Sequence, residues 1–208
     1  MAGLGLGPPD FALFEIDDPD DRAATLEAQL QPKLATLAGQ CVPGLARVAA
    51  KELFVHSGKV ARRKGHAPEE VLVAFCDSER GWRGAPYLGV VITRLHLHAR
   101  VGVRGESPRR AAMRQALERE AANLAKKGKP FRKLRQFADW NFEELPELAP
   151  AHSAAFWTEL GEAVGPGGEG LDVGIAWTCE EARSLSLGDL LGVFRDLSPL
   201  YKVLVNAE

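Results

Sequence analysis

Two hydrophobic periods divide the chain. Leu26, Leu30, Leu34, Leu37 and Cys41 recur at every third or fourth position, which predicts a helix with one buried stripe. Asp20 or Asp21 is placed to cap it, because a short acceptor side chain there can bond the free N–H groups of the first turn. Pro32 lies inside the pattern and predicts a kink or a split, since it donates no hydrogen bond and crowds the carbonyl one turn back. Pro43-Gly44 predicts the end of this helix, with a second short one over 45–53. Ahead of them, FALFEI at 11–16 reads as a short strand or an N-terminal tuck, and residues 1–10 as a disordered tail.

The period then shortens to two. Val71 to Cys76 is a solid apolar run, the pattern of a strand covered on both faces, and Cys76 reads as core. Asp77 to Pro86 is a turn or loop, and Tyr87 to Ile92 a further strand. From Leu95 to Arg104 the alternation is nearly perfect. Leu95, Leu97, Ala99, Val101 and Val103 share one face, and His96, His98, Arg100, Gly102 and Arg104 the other, so one face is expected to pack and the other not. Three runs with no room for crossover helices predict an antiparallel meander. Ser107-Pro108 predicts the start of a helix carrying Met113, Ala116, Leu117, Ala121 and Leu124 inward, ended by Gly128. Residues 129–140 read as a weak strand, 151–164 as a helix, 165–170 as a linker and 171–178 as another strand. Ser186 and Asp189 form a capping box for a last helix that Ser198-Pro199 should interrupt. The fold class is α+β: a single domain over 1–208, an antiparallel β-sheet with helices packed on it.

With 208 residues, 46% apolar and 26% charged, the chain is long enough for one substantial core and lacks the composition of disordered or fibrous proteins. No apolar run reaches transmembrane length and no leader-like start is present, so a cytoplasmic, bacterial-type protein with no membrane partner is expected. Three scattered cysteines suit neither a disulfide framework nor a zinc site. The net charge of −2 conceals a segregation: −4 over residues 1–58, +12 over 59–135 and −10 over 136–208. Either the basic middle meets an anionic partner or the acidic flanks fold back and neutralise it.

Several short segments then fall in a familiar order: FALFEI at 11–16, QPKL at 31–34, KVARR at 59–63, VAF at 73–75, RGW at 80–82 and LSPLY at 197–201. In these the chain resembles the YktB-like family of small bacterial proteins. The resemblance implies one α+β domain with an antiparallel sheet and carries no reaction with it. The chain departs from the family pattern at Val60, where a histidine is usual, and in Lys64-Gly65-His66-Ala67-Pro68, where the family run is rich in asparagine and proline.

The candidate chemistry is basic and aromatic. Arg62 and Arg63 form a cluster, Arg83 flanks Trp82 in a loop, Arg94 precedes the alternating strand, and Arg100 and Arg104 share its polar face with His96 and His98. A guanidinium is a planar fork suited to phosphates and able to stack on bases. The face is therefore expected to bind an anionic ligand such as nucleic acid or a nucleotide, with Trp82 as a stacking platform. The competing reading is an ordinary solvated face. An enzyme with a metal or acid–base pocket centred on His96 and His98 is the alternative, although two histidines fall short of a catalytic zinc set and no metal is assigned. A third possibility is an interaction module, including a homodimer that pairs the basic middle with the acidic C-terminal third. No phosphate-binding loop, dinucleotide fingerprint or hydrolase motif is present, and no cofactor is expected. The acidic run Asp17, Asp18, Asp20, Asp21 could hold a divalent ion but is explained more simply by helix capping.

Overall fold

The computed structural model describes residues 3–60, 66–137 and 144–208. The apolar runs of the middle segment become β2 (Glu70–Cys76), β3 (Tyr87–Thr93) and β4 (His96–Arg104), the expected meander, and a strand that was not expected, β1 (Phe54–Ser57), extends it beside β2. β6 (Gly170–Thr178) joins β4 along its whole length, and the two-residue β5 (Arg135–Gln136) pairs outside it. The sheet order is β1-β2-β3-β4-β6-β5, antiparallel throughout.

Helices α1 (Pro8–Ala12), α2 (Pro19–Thr25), α3 (Gln31–Ala49), α4 (Arg110–Lys126), α5 (Ala154–Val164), α6 (Cys179–Ser184) and α7 (Leu187–Val205) complete the described elements. Their apolar stripes meet one face of the sheet. There Val71, Val73 and Phe75 of β2, Leu88, Val90 and Ile92 of β3, and Leu97, Ala99, Val101 and Val103 of β4 join the helices in one core. The fold is a single α+β domain built on that contact.

Several local expectations are corrected. FALFEI is helical, formed by α1 and a tight turn over Leu13–Glu15, because Pro8 opens a helix in which Asp10 accepts from the Gly7 N–H at 3.0 Å. Residues 3–7, expected as part of a tail, lie against the end of α6 and the start of α7: the Leu4 N–H donates to the Leu185 carbonyl at 3.1 Å, and Leu6 is buried, while residues 1 and 2 lie outside the described residues. Asp18, rather than Asp20 or Asp21, caps α2 by accepting from the Asp20 and Asp21 N–H groups at 2.9 Å. The expected irregularity near Pro32 is a widened turn over Leu26–Leu30, in which the Gln31 N–H reaches back five residues to the Leu26 carbonyl.

Neither Pro43 nor Pro199 breaks its helix. In α7 the carbonyl that Pro199 cannot serve, that of Arg195, accepts instead from the Ser198 hydroxyl at 2.8 Å. Ser107 does not cap α4, which begins at Arg110; its hydroxyl donates to the Gly84 carbonyl at 3.0 Å and ties that turn to the Trp82 loop. The weak strand expected over 129–140 shrinks to β5, and its residues 138–140 lie outside the described residues.

Candidate functional site

The sheet face turned away from the helices carries the predicted residues. Pairing register places them in rows across the strands. His98 lies between Val91 and Ala176, Arg100 between Gly89 and Gly174, and Gly102 between Tyr87 and Asp172. The glycine neighbours leave Arg100 the room its long side chain needs. Tyr87 lies flat across Gly102, where an added Cβ would stand 2.2–2.5 Å from the phenol ring.

Asp172 is the electrostatic centre of this face. Its Oδ1 accepts from the Tyr87 hydroxyl at 2.7 Å and lies 3.5 Å from an Arg100 guanidinium nitrogen. Its Oδ2 accepts from Arg104 at 3.3 Å. Aromatic rings enclose the network. Trp82 meets Tyr87 edge-on at 5.0 Å, Arg104 lies over the Trp82 ring at 5.0 Å, and Arg83 lies 5.6 Å from the same ring. Phe137 takes the Arg100 guanidinium at 5.6 Å and the His98 ring at 4.9 Å. Cation–ring contacts of this kind strengthen as water leaves.

Burial here overturns the expectation of an open polar face: His96 is 3% exposed, and His98 and Arg100 are 0% exposed. Period-two alternation correctly separates the two faces. It is silent on whether a loop returns over the second, which the Trp82 loop and Phe137 do. The electrostatics follow. Burial holds the His98 imidazole well below its ordinary range, helped by the charge of Arg100, and burial lowers His96 against the opposing pull of Glu181. Burial and the Asp172 carboxylate push the Tyr87 hydroxyl well up. Burial opposes the charge on Arg104, but Tyr87, Asp172, Glu70 and Glu106 outweigh it and raise its pKa.

The structure therefore gathers Trp82, Arg83, Arg100 and Arg104 and sets the others apart. Arg94 is exposed in the β3–β4 turn, at the opposite end of β4 from Arg104. His96 and His98 stand toward that same end, their ring centres 6.1 Å apart. Arg62 and Arg63 lie outside the described residues. Two arginines at the start of α4 serve the fold. Arg109 donates to the Val205 and Ala207 carbonyls at the end of α7, and Arg110 donates to those of Val164 and Gly168 after α5.

Beside the network, a cavity of about 330 Å³ opens between the end of β1, the start of β2 and the Trp82 loop. Leu72 and Trp82 form its apolar wall, Glu70 borders it, and Lys59, His66 and Arg83 supply basic groups. Asp172, Tyr87, Glu70 and Lys59 are the residues that sequence reasoning missed. Asp172 had a visible signal, since it is the single charge inside the apolar strand LDVGIAW; the others had none.

Similarity to known proteins covers much of the chain. The family described as a domain of unknown function, DUF1054, matches residues 8–162. A UPF0637 protein of Bacillus velezensis is 30% identical over 126 residues, 61% of this chain and 60% of the relative. One from Bacillus licheniformis is 31% identical over 130 residues, 62% of this chain and 58% of the relative. A third, from Bacillus cytotoxicus, is 31% identical over 108 residues, 52% of each chain. The matched stretch thus spans at most 60% of the length of these curated relatives.

Proposed function

The chain belongs to the DUF1054 family, in keeping with its YktB-like motifs, and from that premise we propose that it binds a small anionic ligand of the nucleotide class in the cavity beside Trp82. One observation carries the reading: an indole in contact with two guanidinium groups, at 5.0 and 5.6 Å, walls a cavity of about 330 Å³ edged by Lys59 and His66. A nucleotide presents the complementary set. Its phosphate meets Lys59, His66 and Arg83, its ring packs on Leu72 and Trp82, and the amino group on its base donates to the Glu70 carboxylate.

Size favours a single nucleotide over a strand, because about 330 Å³ stands at the lower end of small-molecule sites. Arg100, 0% exposed, is withdrawn from direct phosphate contact and acts by fixing Asp172 and Phe137. Among the described residues no helix is long and apolar enough to cross a membrane. We read the protein as a cytoplasmic binding protein.

Calorimetric titration with AMP, adenosine and a dodecamer of thymidylate tests this. AMP should bind saturably and more tightly than adenosine, and Trp82→Leu or Lys59→Glu should weaken it at least tenfold. One or two phosphates give a log–log salt slope no steeper than about −1.5, against about −3 for a strand contacted at four. Failure of AMP at millimolar concentration, or a strand that binds with the steeper slope while AMP does not, would overturn the proposal.

A further inference from the structure

Several cations of the basic middle segment are engaged by the fold. Arg104 and Arg100 stand at Asp172, Arg109 and Arg110 at helix ends, and Arg114 bonds Glu118 at 2.7 Å. A different group is not. Lys129, Arg132 and Lys133 in the turn after α4, with Arg195 on α7, have exposed side chains that make no ion pair or hydrogen bond among the described residues. All four line one open groove of about 370 Å³, with Ile175 and Trp177 of β6 at its base.

The groove also borders an incomplete sheet edge. β6 pairs with β4 through Thr178, whereas β5 reaches only Val173 and Gly174. From Ile175 to Thr178, no described strand pairs with the side of β6 turned away from β4. Open strand edges accept an extended peptide through main-chain hydrogen bonds, while pockets for alternate side chains select its sequence.

We propose that this groove docks an acidic segment of a partner protein, added in extended form along the Ile175–Thr178 edge. Alternate side chains of such a segment point to opposite sides. Its carboxylates, at alternate positions, meet Lys129, Arg132, Lys133 and Arg195, and an apolar residue at one of the same alternate positions packs on Trp177. One feature favours a peptide over a nucleic acid: the strand edge offers backbone pairing that a sugar–phosphate chain cannot use. Charge complementarity of this kind chiefly sets association rate and partner choice.

The test is fluorescence anisotropy with a labelled octapeptide, Thr-Glu-Thr-Leu-Thr-Glu-Thr-Glu, which sets Leu and Glu on one side. The same peptide with Lys for Glu and an oligothymidylate of equal charge run alongside. The acidic peptide should bind saturably, and the double replacement Arg132→Glu and Lys133→Glu should weaken it at least tenfold with an unchanged circular dichroism spectrum. Trp177→Phe should weaken it severalfold, reporting on the floor of the groove. No binding at 100 micromolar, as a chosen ceiling of roughly 5.5 kcal/mol, would overturn the proposal. So would binding indifferent to charge reversal. Tighter binding of the oligothymidylate, lost on the same reversal, would assign the groove to nucleic acid instead.

Discussion

The flat placement of Tyr87 over Gly102 makes that glycine the most informative position on the polar sheet face. In Gly102→Ala the new Cβ would stand 2.2 Å from the phenol Cζ and 2.4 Å from its oxygen, so the ring must leave its seat. Two interactions go with it. One is the 2.7 Å hydrogen bond to Asp172, worth about 1.5–3 kcal/mol for a charged acceptor. The other is the edge-on contact with Trp82 at 5.0 Å, worth about 0.5–1.5 kcal/mol. Together they set an expected loss of about 2–4.5 kcal/mol, although alanine in a strand is otherwise better than glycine by about 0.5–1 kcal/mol. Urea unfolding followed by fluorescence measures the change, and a loss of about 3 kcal/mol lowers the thermal midpoint by about 6–12 °C. The decisive step is the cycle with Tyr87→Ala. With the ring removed, Gly102→Ala should cost less than about 0.5 kcal/mol, leaving a coupling of about 2 kcal/mol or more. Equal cost in both backgrounds would refute the account, because the damage would then arise from the strand itself.

Three further outcomes are expected. Native His98 is held neutral, so stability should be flat above its ordinary pKa of about 6.5; below that only the unfolded chain takes the proton, and stability should fall with a slope approaching 1.4 kcal/mol per pH unit. Urea midpoints between pH 7.5 and 5.5 check this, and an unchanged slope in His98→Gln would count against it. Arg110→Lys loses a fork that spans the ends of α5 and the β4–α4 turn and should cost about 1–2 kcal/mol by thermal melting, while the exposed Arg119→Lys should be neutral. In thiol titration of the native protein, Cys179 should react first; burial raises the Cys76 thiol and pushes Cys41 up to about 12, so both should wait for unfolding.

The centre of the sheet was readable because its strands carry their own patterns, VLVAFC as a doubly covered run and residues 95–104 as an alternating one, whereas the four residues of β1 were too few to show one. What local pattern could not show is how non-local contacts decide the outcome. The Ser186–Asp189 box formed as expected, yet Pro199 further along passed through the helix, because Ser198 supplies the Arg195 carbonyl with a donor. The equivalent box at Thr178 and Glu181 was present in the sequence and went unread, and α6 with it. At the candidate site, His96, His98, Arg100 and Arg104 were correctly assigned to one face. Their exposure was not, since Trp82 reaches that face from a loop and Asp172 arrives from a strand 68 residues after Arg104. Charge counting likewise located the basic segment but not its division. Arg109 and Arg110 became ties between helices, while Lys129, Arg132 and Lys133 in the turn after α4 line an open groove.

The position of β6 separates the order of synthesis from the order of assembly. The meander from β1 to β4 can close as it emerges, each strand meeting one already made. β5 cannot, because its partner β6 is made some thirty-five residues later and inserts between it and β4. The nascent chain must therefore hold the whole stretch from Arg110 to Glu169 in suspense, with the outer border of β4 open, until residue 178 is free of the ribosome. Closing so long a loop is entropically slow. The late strand also carries Asp172, so the charge arrangement of the buried face is completed only in the same event that closes the sheet. A fragment ending at residue 162, where the family match stops, would lack both.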